Sequence, residues 1–224
     1  MSQIQILNLQ SLSQGLPAIT SAFGAAIAEA GVICLTDEAH QPGVTLKVEG
    51  EFSATFKLDW QPVTEQTRRC WNDEEYTTEQ AAYGIAFLLI LQLQRIPGLW
   101  SSVGTRQCPV PTGIYRSGMY FINVESAVTN LTVIERSRKG TGFDYWLGSQ
   151  NSATTLPFER MARLEVSGIR KGNQSQINTR VKLKTEQTRA SDAEGLPAYI
   201  IVVEFSRPIS IISAKQNPEG TVLQ

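Results

Sequence analysis

The sequence predicts an α/β fold, a central mixed β-sheet flanked by helices, and three features carry that expectation. Near the N-terminus Val44, Leu46 and Val48 alternate with polar residues, and after a Glu49-Gly50 turn Phe52, Ala54, Phe56, Leu58 and Trp60 alternate again. Period two in two adjacent runs is the mark of an antiparallel hairpin with one buried face. Residues 85–91 (Ile-Ala-Phe-Leu-Leu-Ile-Leu) are apolar on nearly every side of a helix, which buries such a helix against a sheet. Residues 198–205 (Ala-Tyr-Ile-Ile-Val-Val-Glu-Phe) form a continuous apolar, β-branched run, as in a central strand covered on both faces.

Composition agrees with this class. A chain of 224 residues, 42% hydrophobic and 18% charged, is long enough to bury a core and too apolar for wholesale disorder. Cys34, Cys70 and Cys108 are widely spaced, with no Cys-x-x-Cys, a pattern that fits reduced thiols better than a disulfide framework. No basic residue precedes an apolar stretch at the N-terminus, so no secretory leader is expected. The apolar run at 85–91 is far short of the ~20 residues of a membrane helix. A cytoplasmic protein with no membrane partner is the expectation.

The elements follow in order. An Ala-rich helix over 11–30 is started or broken near Pro17 and stopped by Gly31. With the hairpin it makes an N-terminal extension, residues 1–70. An α/β core follows at 71–215, with an insertion at about 98–128 and a flexible tail at 216–224. The core helix begins where Thr77 and Gln80 have capping-box spacing and ends before Pro97. Gly and Pro break the pattern over 98–128, leaving one strand near 120–124. Strands are then expected at 131–135, 143–147 and 161–169, the first two joined by the turn Lys139-Gly-Thr-Gly and the last two by a polar loop at 149–157. A basic helix over 175–188, facing inward through Ile177, Val181 and Thr188 or Leu183, leads to the last strand. Helix, three strands, helix, strand implies a mixed sheet with helices on it.

The chemistry-bearing segment runs Glu135-Arg-Ser-Arg-Lys-Gly-Thr-Gly-Phe-Asp144-Tyr-Trp and continues at Arg163-Leu-Glu165-Val-Ser167-Gly. Asp144 opens a strand after a glycine turn, and Glu165 lies within the next strand. Two carboxylates on adjacent strands can bind a hard divalent cation such as Mg²⁺, which takes oxygen ligands and can activate water and stabilise charge on a phosphoryl oxygen.

These residues and the order of elements around them resemble the restriction-endonuclease-like, or PD-(D/E)XK, superfamily, over about residues 78–94 and 131–205. The resemblance implies a nuclease-like core in which Asp144 and Glu165 are catalytic metal ligands and the backbone carbonyl of Val166 is a third. It also implies that the first core helix, after Glu79, can lend a carboxylate. The chain departs from the pattern at Ser167, where the family has a lysine that orients the attacking water and offsets charge in the transition state. Lys139, Arg163 or Lys171 could supply that cation, and Arg163 should share a face with Glu165. The runs Lys-Gly-Thr-Gly-Phe-Asp-Tyr-Trp-Leu-Gly and Ala-Arg-Leu-Glu-Val-Ser-Gly also resemble a group of uncharacterised bacterial proteins, in which Ser167 would be a feature of the group.

Two functions follow. One is a divalent-metal-dependent nuclease or related phosphodiesterase with a degenerate site. The other is a catalytically inactive binding or assembly module of that fold, contacting protein or nucleic acid. Charge bears on both. Residues 1–79 carry 4 basic and 11 acidic side chains, whereas 136–189 carry 11 basic and 4 acidic. The basic half can meet a polyanion, or the two halves can neutralise each other internally. Lys139, Arg163, Lys171, Arg180, Lys182 and Lys184 are the candidate nucleic-acid contacts, with Arg170 and Arg189 in the same basic set. The alternative for the helical ones is a solvated helix face.

Plainer readings stand beside each site residue. Asp144 can be a structural turn or capping residue. Glu165 can pair with Arg163, Arg160 or Lys139, since a carboxylate between Leu164 and Val166 must find a partner or a metal. Glu135 and Glu204 read as strand-end surface charges. Tyr145 and Trp146 can stack on a base or pack in the core. His40 is the only histidine, which excludes a His-rich zinc site, and no phosphate loop or Gly-x-Gly-x-x-Gly is present.

Overall fold

A computed structural model describes residues 5–51, 53–93, 131–149 and 159–215. The insertion expected at 98–128, nearly all of the 149–157 loop and the tail at 216–224 lie outside the described residues. In chain order the elements are β1 (Gln5–Asn8), a 3-10 turn (Leu9–Gln14), α1 (Ser21–Asp37), β2 (Val44–Gly50), β3 (Ala54–Asp59), α2 (Glu65–Arg69), α3 (Glu74–Leu93), β4 (Leu131–Arg136), β5 (Tyr145–Ser149), β6 (Arg160–Ile169), α4 (Gln174–Gln187), a second 3-10 segment (Thr188–Glu194), β7 (Ala198–Glu204) and β8 (Ile209–Lys215).

The strands form one mixed eight-stranded sheet in the order β1-β3-β2-β8-β7-β6-β5-β4. β4, β5 and β6 are an antiparallel run, and β7 returns parallel to β6 after α4. The hairpin β2–β3 forms as its alternation requires, with Leu46 opposite Phe56 and both buried. β8 joins the two halves of the sheet, antiparallel to β7 and parallel to β2. Neither β1 nor β8 is expected from the sequence pattern. Each is completed by pairing with a distant strand.

Helices cover both faces. α1 and α3 share the larger core with Leu164, Val166, Tyr199, Ile201 and Val203, whereas Ile177 of α4 packs on Ala198, Ile200 and Val202. The alternation of β7 thus serves two cores, which is why its sequence shows no polar face. Tyr145 of β5 meets Tyr83 and Phe87 of α3 edge-on, at ring separations of 5.6 and 5.1 Å. Such contacts are worth about 0.5–1.5 kcal/mol each beyond burial, and they fix α3 against the β5–β6 edge.

Several local expectations are corrected. Gly31 does not stop α1, which continues to Asp37. Its bare backbone lets Leu9 pack close, since a Cβ there would lie 3.3 Å from a Leu9 methyl carbon. α3 starts one turn earlier than Thr77. Asp73 is its cap, accepting the Tyr76 N–H at 2.9 Å, while the Thr77 hydroxyl bonds back to the Asp73 carbonyl. On α4, Leu183 is exposed, and the inward stripe is Ile177, Val181, Lys184 and Thr188. The turn after β4 is built as its glycines suggest. Gly142 has φ +78°, and a Cβ there would lie 2.1 Å from the Gln187 carbonyl oxygen, so only glycine lets this turn approach the end of α4.

Candidate functional site

β6 pairs with β7 from Arg163 to Ile169, but with β5 only over its first half, ending at Tyr145 opposite Leu164. Past that point the β5-side edge of β6 is taken up by Asp144. Its N–H donates to the Leu164 carbonyl at 2.8 Å, and its Oδ2 accepts the Val166 N–H at 2.9 Å. Strand alternation turns the Val166 carbonyl to the same edge. Further along, Gly168 lies against α3, where a Cβ would stand 2.4 Å from the Thr78 carbonyl oxygen. A cleft of about 520 Å³ opens here, with residues 166–169 as its floor. Glu74, Glu75 and Glu79 of α3 line it together with Arg170, Arg180 and Lys184.

Glu165 projects to the α4 face and is fully buried. Its Oε1 accepts from Lys184 Nζ at 2.5 Å and from Gln187 Nε2 at 3.2 Å, whereas its Oε2, equally buried, has no hydrogen-bond partner. Burial, reinforced by the nearby Asp144 charge and opposed by Lys184, raises the Glu165 pKa to about 8. Two residues on, Ser167 Oγ accepts from Arg180 Nη1 at 2.9 Å. On the α3 side the Tyr83 hydroxyl lies 3.5 Å from Glu79 Oε1. Burial first, then the charges of Asp144 and Glu79, push the Tyr83 pKa upward, so this group stays a neutral phenol.

The sequence-derived candidates separate accordingly. Asp144, Glu165 and Val166 come together at the open edge of β6. Of the basic residues, Arg180 and Lys184 line the cleft. Lys139 is exposed on the glycine turn and Lys182 on the outer side of α4, and Lys171 pairs with Glu38 at 3.4 Å. Arg163 shares the strand face of Glu165, but its side chain is entirely buried. It bonds to the carbonyls of Leu196 (2.7 Å) and Thr188 (3.0 Å), to Ser191 (2.8 Å) and to Asp192 (3.2 Å). All these partners are internal, so the guanidinium offers no surface to a ligand.

The remaining residues sort into structure. Glu135 is exposed and pairs with Arg160 at 2.7 Å. Glu204 is not a surface charge: it is fully buried and accepts the N–H groups of Gly172, Ser206 and Arg207, clasping the ends of β6 and β7. Tyr145 and Trp146 are core residues, and His40 Nε2 lies 3.0 Å from the Phe205 carbonyl oxygen.

Lys184 is the functional candidate whose position the sequence reading underestimates, because it counts there as one of a basic set. Its spacing from Ile177 and Val181 already places it in the inward stripe of α4, where a lysine requires a buried partner.

As cation ligands, Asp144 and Glu165 with the Val166 carbonyl are a chemically suitable oxygen set, and the unpartnered Glu165 Oε2 is the observation that favours one. Among the described residues, no three His, Cys, Asp or Glu side chains are grouped closely enough to hold a metal by themselves. No described helix is long and apolar enough to cross a membrane. Comparisons of the chain with protein-family models, curated proteins and solved structures return no match.

Proposed function

We propose that the chain is a divalent-metal-dependent nuclease or related phosphodiesterase whose lysine is carried by α4 instead of β6. The observation that supports this reading is the contact of Lys184 with Glu165 at 2.5 Å, beside Asp144, at the unpaired edge of β6. A buried ion pair serving stability alone would be expected to satisfy both carboxylate oxygens. Here one oxygen is left bare. The order α3, three antiparallel strands, α4 and a parallel strand is also what a restriction-endonuclease-like core requires.

In this reading Asp144, Glu165 and the Val166 carbonyl would hold Mg²⁺, which when bound would lower the pKa of water and offset charge on a phosphoryl oxygen. Asp144 orients the site, because its second contact is the rigid N–H of Val166. Lys184 holds Glu165 in place and puts an ammonium where charge develops in the transition state. Tyr83, a neutral phenol, stands 3.5 Å from Glu79, the α3 carboxylate that could join the metal ligands. The reading predicts Mg²⁺-dependent cleavage of DNA or RNA that is lost in Asp144→Asn. Normal cleavage by that variant would end it.

The absence of a three-carboxylate cluster among the described residues favours a second reading, an inactive binding or assembly module. It predicts no cleavage with any divalent ion, together with a nucleic-acid or protein complex. Salt dependence separates the two partners, since only a phosphate backbone gives a steep loss of affinity with ionic strength.

A further inference from the structure

Arg170 follows β6 directly and lines the same cleft, yet the site described above makes no use of it. Its side chain is nine-tenths buried, at 10% exposure, and its Nε and Nη1 atoms have no hydrogen-bond partner. The nearest carboxylate oxygen, Asp37 Oδ2, lies 3.9 Å from Nη1, beyond hydrogen-bond reach, and Asp37 is already engaged by Arg68 at 2.5 Å. A buried guanidinium with idle donors is unfavourable unless something fills them. Arg180 lines the same cleft with its guanidinium held by Ser167, and the glycine at 168 leaves the floor between them without a side chain.

We propose that Arg170 and Arg180 form a phosphate-binding subsite, distinct from the Asp144–Glu165–Lys184 group and taking a phosphate of the substrate chain other than the one attacked. Guanidinium donors in a partly dry cleft suit phosphate oxygens in charge and geometry. Glu74, Glu75 and Glu79 line the cleft as well, so a phosphate is held only where the two arginines outweigh those carboxylates. The identity of the polymer rests on the nuclease reading. The anion subsite does not, because it needs neither metal nor turnover.

The test is titration calorimetry of the full chain in EDTA, with inorganic phosphate in one arm and a short oligonucleotide lacking terminal phosphates in the other. Wild type should bind, and Arg170→Gln and Arg180→Gln should each weaken binding about tenfold or more, the scale of a lost charge-assisted contact. Because binding is read in EDTA, with neither metal nor turnover, a failed nuclease reading stays separable from a failed subsite. Weakening in the oligonucleotide arm identifies a polymer phosphate, and weakening only in the inorganic arm identifies free phosphate as the ligand. No binding in either arm, or unchanged binding by both arginine variants, overturns the proposal. Thermal melts of the variants show whether each is folded, and Arg180, on an exposed helix face, serves as the second probe if Arg170→Gln unfolds.

Discussion

Lys184 Nζ stands 2.5 Å from Glu165 Oε1, a contact made between a helix and a strand nineteen residues apart in sequence. It changes what Ser167 means. The hydroxyl at that position accepts from Arg180 instead of serving Glu165, and the ammonium beside the carboxylate arrives from α4. Glu165 is therefore not without a cation, although β6 carries no lysine beside it.

If Lys184 has taken over the lysine's task, the task should be movable between the two elements. On the nuclease reading Lys184→Ala should lower cleavage by about 100-fold or more, the scale of removing one charge-stabilising donor. Adding Ser167→Lys to that variant should return part of the loss, because residue 167 shares the strand face of Glu165. Single-turnover cleavage of a labelled oligonucleotide reads both variants. Cleavage by Lys184→Ala at the wild-type rate would show that the ammonium has no part in the chemistry.

The parts legible in sequence are those whose pattern is local. Period two gave the hairpin, and an all-apolar turn sequence gave α3. Continuous β-branching gave β7, and strand alternation placed Arg163 and Glu165 on one face. The parts not legible depend on distant pairing. β8 reads as an ordinary amphipathic run, Ile209-Ser-Ile-Ile-Ser-Ala-Lys215, until β2 and β7 close on either side of it. Arg163 reads as a cation for Glu165 or for nucleic acid, and Glu204 as a surface charge, because nothing near them in sequence reveals that the 188–194 segment and the turn after β7 enclose them. At the candidate site, the strand positions of Asp144 and Glu165 follow from local pattern. Lys184 is indistinguishable by composition from the exposed Lys182, and only its spacing from Ile177 and Val181 sets it apart.

The raised pKa of Glu165 has a definite sign for stability. Below its ordinary value of 4.5 the group is protonated both folded and unfolded. Between there and about 8 the folded chain holds a proton that the unfolded chain releases, so stability falls as pH rises through this window. Glu165→Gln removes that slope. Its melting temperature relative to wild type should therefore rise steadily from pH 5 to pH 8.5. On the metal-binding reading, Mg²⁺ should restore wild type at the upper end and leave the glutamine variant unmoved. Parallel pH profiles for the two proteins would contradict the assignment of the shift to Glu165.

Arg163 illustrates the opposite case, a buried cation with every bond satisfied internally. Arg163→Met keeps most of the volume but strips the Leu196 carbonyl of its guanidinium donors, leaves the Thr188 carbonyl with Ser191 Oγ, and takes one cation from Asp192. A loss of about 3–5 kcal/mol in urea unfolding is expected, as for breaking any buried charged network from one side. On the nucleic-acid-binding reading, affinity per folded molecule should be unchanged. A variant of native stability that binds poorly would instead make Arg163 a ligand contact.

Gly168 sets how closely α3 can approach β6, and hence the width of the cleft. Its φ is not in the left-handed region, so alanine meets no backbone penalty there. The obstacle is the Thr78 carbonyl oxygen at 2.4 Å and the Thr78 Cγ2 at 2.8 Å from the added carbon. Thr78 is fixed within a helix whose next turns pack on Tyr145 and Leu164, so the strain must be taken up by lifting the first turn of α3. Gly168→Ala should cost about 1–3 kcal/mol, the range for overpacking. On the metal-binding reading it should also carry Glu79 away from Asp144 and weaken Mg²⁺ binding beyond what the stability loss explains. Urea unfolding with and without Mg²⁺ measures both effects on one protein. A Gly168→Ala chain as stable as wild type would mean that α3 is free to shift and does not define the cleft.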